Sequence, residues 1–271
     1  MFYNIRNWPM TTFLDFSYDL KKKAILSRKS RTPLILIAAF PRSACNYLSY
    51  LISETTGFPE ANFKPSSGFY HDVVYLPRLF DLLFKKRIIT QHLRATEMTR
   101  GIISDLRINP IILVRNIFDV VVSYNDYISK RGYGPLDPDQ ADLSPELCKS
   151  YPTFSDEKKY DYLIDVVVPW YISFYVSWYH YTIVLKTIDA YWLTYENFVT
   201  QPDVVLPQIF SFYGLFVSHR EIESVVSQNK KVNYNKGVSG RGTAKLSSKQ
   251  KDKIRSFTSY HPNVNFSMMG L

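Results

Sequence analysis

The chain has 271 residues, 46% of them hydrophobic and 21% charged, which is enough for one large folded domain and excludes a disordered chain. Two cysteines, Cys45 and Cys148, exclude a disulfide framework and a zinc spacing and fit a reducing, cytoplasmic compartment. A net charge of +9 favours an anionic ligand or surface. The densest basic run, Lys21-Lys22-Lys23 with Arg28, Lys29 and Arg31, lacks the interleaved aromatic residues of a nucleic-acid groove, so nucleic acid is not an expected partner.

The first residues, Met1-Phe2-Tyr3-Asn4-Ile5-Arg6, show neither the apolar core nor the cleavage site of a signal peptide. Leu34 to Ala39 is a continuous apolar run, as expected of a strand covered on both faces. Asn46 to Thr56 has helical spacing and stops at Gly57. Arg87 to Gln91 and Pro110 to Val114 predict two more strands, and Phe118 to Ile128 a helix. Residues 131–155 are rich in Pro, Gly, Asp and Ser and read as a loop or lid. Val166 to Thr187 predicts one long aromatic helix with Pro169 in its first turn. Its uncharged part approaches a membrane-spanning length, but its Tyr, Trp, Ser and His content favours a buried helix over a transmembrane span.

Tyr191 to Tyr195 predicts a strand, and Thr200 a cap opening the helix that Gly214 ends. Ser218 with Glu221 and Ser247 with Gln250 have the form of capping boxes. Strands alternating with helices predict a single α/β domain over residues 1–271, its core at about 34–247, with a central, mainly parallel sheet flanked by helices.

Two segments carry the chemistry. Phe40-Pro41-Arg42-Ser43-Ala44-Cys45-Asn46-Tyr47-Leu48 and Val114-Arg115-Asn116-Ile117-Phe118-Asp119, running on to Ser123, each join a strand to a helix N-terminus. Free backbone N–H groups and the helix dipole make such a junction a site for an anion. In the second, Arg115 offers a fork of donors and Ser123 a hydroxyl two turns later, so both reach one phosphate. Asp119 is better suited to bracing the turn. The Gly-x-x-x-x-Gly-Lys-Ser/Thr loop of nucleotide kinases is absent, with no glycine or lysine between Ile37 and Leu51.

Four segments in order resemble the sulfotransferases that use 3′-phosphoadenosine 5′-phosphosulfate. They are Pro41 to Leu48, Arg115 to Ser123, Tyr195-Glu196-Asn197-Phe198, and Lys236-Gly237-Val238-Ser239-Gly240. The resemblance implies a P-loop-like sulfotransferase fold and a metal-independent transfer that leaves 3′,5′-bisphosphoadenosine. It implies that Arg42, Ser43, Ala44, Cys45 and Asn46 cradle the 5′-phosphosulfate and that Tyr47 and Tyr195 contact the adenine. Arg115 and Ser123 would bind the 3′-phosphate, with Lys236 and Gly237 closing over it. Ala44 stands where glycine is usual, so its backbone is expected to avoid a left-handed conformation. Arg42 replaces the frequent lysine and keeps the charge.

His92 follows the second strand candidate, and Thr90-Gln91-His92-Leu93 resembles the family's Lys-Thr-His-Leu segment, which makes His92 the expected base. Trp170, Phe174 and His180 are candidates to line the pocket of a small organic acceptor carrying a hydroxyl or amine. A carbohydrate or peptide acceptor, a non-catalytic nucleotide- or anion-binding module and a small-molecule or nucleotide kinase are the alternatives, and the oligomeric state stays open.

Overall fold

The structure, a computed structural model, describes residues 18–20, 22–23, 34–62, 72–131, 150–228 and 239–271. Its centre is a five-stranded, all-parallel sheet. The strands are β1 (Leu34–Ala39), β2 (Glu60–Ala61), β3 (Arg87–Gln91), β4 (Pro110–Val114) and β5 (Tyr191–Thr194), in the spatial order β2-β3-β1-β4-β5. Three of the four predicted strands appear with the bounds read from the sequence, and the fourth, expected over Tyr191–Tyr195, ends at Thr194. Register is set by Ala38 beside Gln91, Ala39 beside Leu113, and Val114 beside Thr194.

Both sheet faces are covered, which is why the strands read as unbroken apolar runs rather than alternating ones. Ile35, Ile37, Ile111 and Leu113 point into one core with Leu48, Leu51 and Ile52 of α1 (Cys45–Thr56) and Leu206 and Ile209 of α8 (Pro202–Phe212). Leu36, Ala38, Ile112 and Val114 point into the other. That core holds α2 (Leu76–Leu82), α3 (Glu97–Asp105), α4 (Ile117–Arg131), α5 (Asp156–Val166) and α6 (Val168–Tyr179). Further helices are α7 (Tyr195–Thr200), α9 (His219–Gln228), α10 (Arg241–Lys245) and α11 (Ser248–Ser256).

The single aromatic helix expected over 166–187 is divided. α5 ends at Val166, and α6 starts at Val168 with Pro169 in its first turn, where a missing N–H is tolerated. Past Tyr179 the backbone widens into a π-turn over His180–Val184, closed by the Leu185 N–H donating to the His180 carbonyl at 2.8 Å. The expected cap at Thr200 is also corrected. Its hydroxyl donates back to the Glu196 carbonyl at 2.8 Å inside α7, and α8 starts after Gln201 with no side-chain cap. Both capping boxes form. Glu221 accepts from the Ser218 N–H at 2.9 Å, and Gln250 and Ser247 bond reciprocally. Among the described residues no helix is long and apolar enough to cross a membrane.

Candidate active site

In a parallel sheet all carboxyl ends lie at one edge, so the loops after β1, β3, β4 and β5 converge there. The loop after β1 is tightly bound. Ser43 is fully buried, and its hydroxyl donates to the Phe40 carbonyl at 2.6 Å. The Ala44 carbonyl accepts the first turn of α1, from Tyr47 N and Leu48 N at 3.0 Å each. The amides just ahead, in α1's first turn, have no intrahelical acceptor.

Two non-glycine residues here are left-handed, Arg42 at φ 68° and Ala44 at φ 64°. The expectation that Ala44 avoids this conformation is therefore wrong. An L-residue there costs roughly 1–2 kcal/mol. The burial of Ser43 and the bonds to the Ala44 carbonyl hold the turn in place against that cost. Cys45 is buried, which pushes its thiol up to about 11, so its side chain is an inert neighbour rather than an anion ligand. Asn46 is exposed at the helix mouth, and Tyr47 is half-buried with its ring 5.4 Å from that of Phe198.

Arg42 is half-buried, its guanidinium 4.5 Å from the centre of the Tyr127 ring. Burial is the main cause lowering its pKa, and the Arg115 charge pushes the same way. Arg115 follows β4 and donates from Nη1 to the Arg42 carbonyl at 2.7 Å, tying the two loops together. The register of β4 and β5 sets Arg115 beside Tyr195, and its guanidinium lies 3.9 Å from the centre of that ring. The Nε atoms of Arg42 and Arg115 are both buried with no hydrogen-bond partner, and neither guanidinium forms an ion pair among the described residues. Buried cations left in this state call for an anion.

Ser123 is buried on α4, two turns past Arg115. The Asn116 side chain caps that helix, accepting from the Phe118 and Asp119 N–H groups at 3.0 and 3.3 Å. Asp119 braces a distant segment rather than its own turn. Its carboxylate accepts from the Gly240 and Gly242 N–H groups, each at 2.7 Å. Gly242 sits so close to α4 that a Cβ there would lie 2.1 Å from the Phe118 carbonyl carbon. Sequence reasoning did not single out Gly242. The glycine itself was the only signal, because close backbone approach between segments far apart in the chain leaves no local pattern.

His92 follows β3, beside the end of β1. Its Nδ1 lies 2.9 Å from the Ala39 carbonyl, which can only accept, so Nδ1 carries the proton and the neutral ring has its basic nitrogen at Nε2. Trp170 lies nearby, its indole N–H donating to Asp72 at 3.0 Å. Of the other pocket candidates, Phe174 stays with Trp170, their ring centres 5.5 Å apart. Phe174 is fully buried core, 4.8 Å from the Phe40 ring. His180 is exposed, ten residues and about 15 Å along the helix from Trp170. Lys236, Gly237, Cys148 and residues 132–149 of the expected lid lie outside the described residues.

The chain is thus an α/β protein whose open parallel sheet carries two arginines, a helix N-terminus and a histidine at its carboxyl edge. The chain belongs to the sulfotransferase domain family, which it matches over residues 13–260. Mouse sulfotransferase SULT7A1, solved in complex with PAP, is similar in fold. It has TM-score 0.59 and 16% identity over 91% of each chain. The sulfotransferase from Alicyclobacillus acidocaldarius aligns with TM-score 0.45 and 13% identity, over 88% of this chain and 99% of that one. No curated protein matches the sequence significantly.

Proposed function

We propose that the protein transfers the sulfuryl group of 3′-phosphoadenosine 5′-phosphosulfate to a hydroxyl or amine of a small organic acceptor, with His92 as base. The observation that carries this reading is the pair of buried Nε donors on Arg42 and Arg115, linked through the Arg42 carbonyl, in a chain of the sulfotransferase family. Two cations with no carboxylate partner among the described residues suit the two phosphate ends of one nucleotide.

Bound at this edge, the donor supplies an electrophilic sulfur and a phosphate leaving group. Arg115 and Ser123 bind its 3′-phosphate, and Tyr47 and Tyr195 flank the base. The family resemblance assigns Lys236 and Gly237 to the same phosphate. The Ser43 to Asn46 amides and Arg42 receive the 5′ end, where they stabilise the charge that develops on departure. His92 Nε2 takes the acceptor's proton, and the Ala39 carbonyl keeps the ring in the tautomer this requires. Trp170 offers a flat apolar wall, which favours an aromatic or alicyclic hydroxyl compound. We take the protein to work as one domain in the cytoplasm.

The test is product formation from labelled donor with a panel of phenols, alcohols and amines. Transfer to one of these, lost in His92→Ala while bisphosphoadenosine still binds, is the expected result. Binding of bisphosphoadenosine with no acceptor sulfated would leave a non-catalytic module instead. A larger thermal shift with ATP and Mg²⁺ than with bisphosphoadenosine would point to a kinase and overturn the reading.

A further inference from the structure

Asp72 lies outside the motifs above, yet its contacts converge beside His92. Its own N–H donates to the His92 carbonyl at 2.9 Å. Its carboxylate accepts from the Arg94 N–H at 2.6 Å, from Arg94 Nε at 2.8 Å and from the Trp170 indole N–H at 3.0 Å. Arg94 in turn donates from Nη1 to the Ser173 hydroxyl at 3.3 Å. One residue therefore holds the backbone on both sides of Leu93 and ties it to α6. Asp72 itself is left-handed at φ 59°, a conformation that favours Asn, Asp and Gly.

From this geometry we infer that Asp72 is a positioning residue that fixes both His92 and the Trp170 wall of the acceptor pocket. The inference rests on the reading of His92 as the base. The His92 ring is held by its contact to Ala39 and by its own backbone. The carbonyl of that backbone is held by Asp72. The main-chain bond to His92 survives a side-chain substitution, but loss of the carboxylate frees the Arg94 N–H and the Trp170 indole and lets the stretch that carries His92 shift, and a shift of about 1 Å at a catalytic group costs on the order of 10²-fold in rate. The clamp also joins Arg94 and Asp72 as an ion pair, with side chains 33% and 17% exposed, so the wall beside Trp170 carries little net charge. Such a wall suits a neutral acceptor better than an acidic one.

The test compares Asp72→Ala, Asp72→Asn, His92→Ala and the Asp72→Ala/His92→Ala double variant. Three readouts are used: bisphosphoadenosine affinity, kcat and KM with a phenol acceptor, and the ¹³C signal of the His92 ring in labelled protein. Asp72→Ala is expected to lose on the order of 10²-fold in kcat, with bisphosphoadenosine affinity held within about twofold. Asp72→Asn keeps the shape and one acceptor oxygen and is expected to recover part of the loss. The double variant is expected to be no slower than His92→Ala, because Asp72 acts through His92. The His92 ring signal is expected to move in Asp72→Ala and return toward its original position in Asp72→Asn. An unmoved signal, or losses that multiply in the double variant, would overturn the positioning role. A moved signal in a protein that sulfates nothing would uphold the clamp and reject the enzymatic reading instead.

Discussion

Removal of the Asp119 carboxylate tests how the carboxyl edge of the sheet is held together. Asp119 is 2% exposed and accepts two backbone N–H groups at 2.7 Å each. A hydrogen bond to a charged acceptor contributes roughly 1.5–3 kcal/mol. The two bonds are unequal in consequence, because Gly240 is exposed and its N–H can return to water, whereas Gly242 is buried and cannot. Asp119→Ala should therefore cost most of one bond and part of the other, about 3 kcal/mol. Asp119→Asn can turn its oxygen to Gly242 and leave its amide toward Gly240 and solvent, so about 1–2 kcal/mol is expected. For a domain of this size, Asp119→Ala should lower the melting temperature by roughly 6–12 °C.

The same brace joins the Gly240–Gly242 segment to α4, which carries Ser123, so on the proposed role of Ser123 bisphosphoadenosine affinity should fall about tenfold in Asp119→Ala, equivalent to roughly 1.4 kcal/mol. Calorimetric melting and isothermal titration read the two effects. An Asp119→Ala protein that melts within about 2 °C of the wild type would refute the account of the brace.

Three further outcomes are expected. Ala44→Gly removes the cost of a left-handed L-residue but loosens the unfolded chain and deletes a partly buried methyl, so a net gain of about 0.5–1 kcal/mol should appear as a higher urea midpoint. Gly242→Ala drives a methyl into the α4 backbone, so about 3 kcal/mol or more should be lost in the same measurement. The Cys45 thiol should resist alkylation in the native protein at pH 8, in contrast to the unfolded chain. Because burial raises its pKa from 9.0 to about 11, the unfolded state releases the proton first, and the thiol's contribution to stability falls as pH rises through that window.

Much of the sheet was legible because its strands are buried on both faces. Leu34–Ala39 and Pro110–Val114 are unbroken apolar runs for that reason, and their bounds match the structure. Helix ends were legible where a local device sets them, as at Gly57 and in the Ser247–Gln250 box. The split of the aromatic helix was not, because apolar residues all round a helix erase the periodicity that would mark a break. Among pocket candidates, Trp170 and Phe174 differ by one turn, yet one bonds to Asp72 and the other is core. Spacing assigns both to one side of the helix, where their rings meet, and only the tertiary packing of Phe40 against Phe174 buries the second.

The sequence by itself determined an α/β domain with a mainly parallel sheet, Arg42, His92 and Arg115 in the segments that follow its strands, and helix N-termini after the first and last of these. Those are local properties, written in runs of neighbouring residues. Only the tertiary structure decided that Arg115 bonds the Arg42 carbonyl, that Asp119 braces Gly240 and Gly242, and that Asp72 clamps the His92 strand to Trp170. Each of these joins segments distant along the chain, and a hydrogen bond between them depends on how elements pack. It also decided that Ala44 is left-handed, because bonds around the turn outweigh the preference of a single residue.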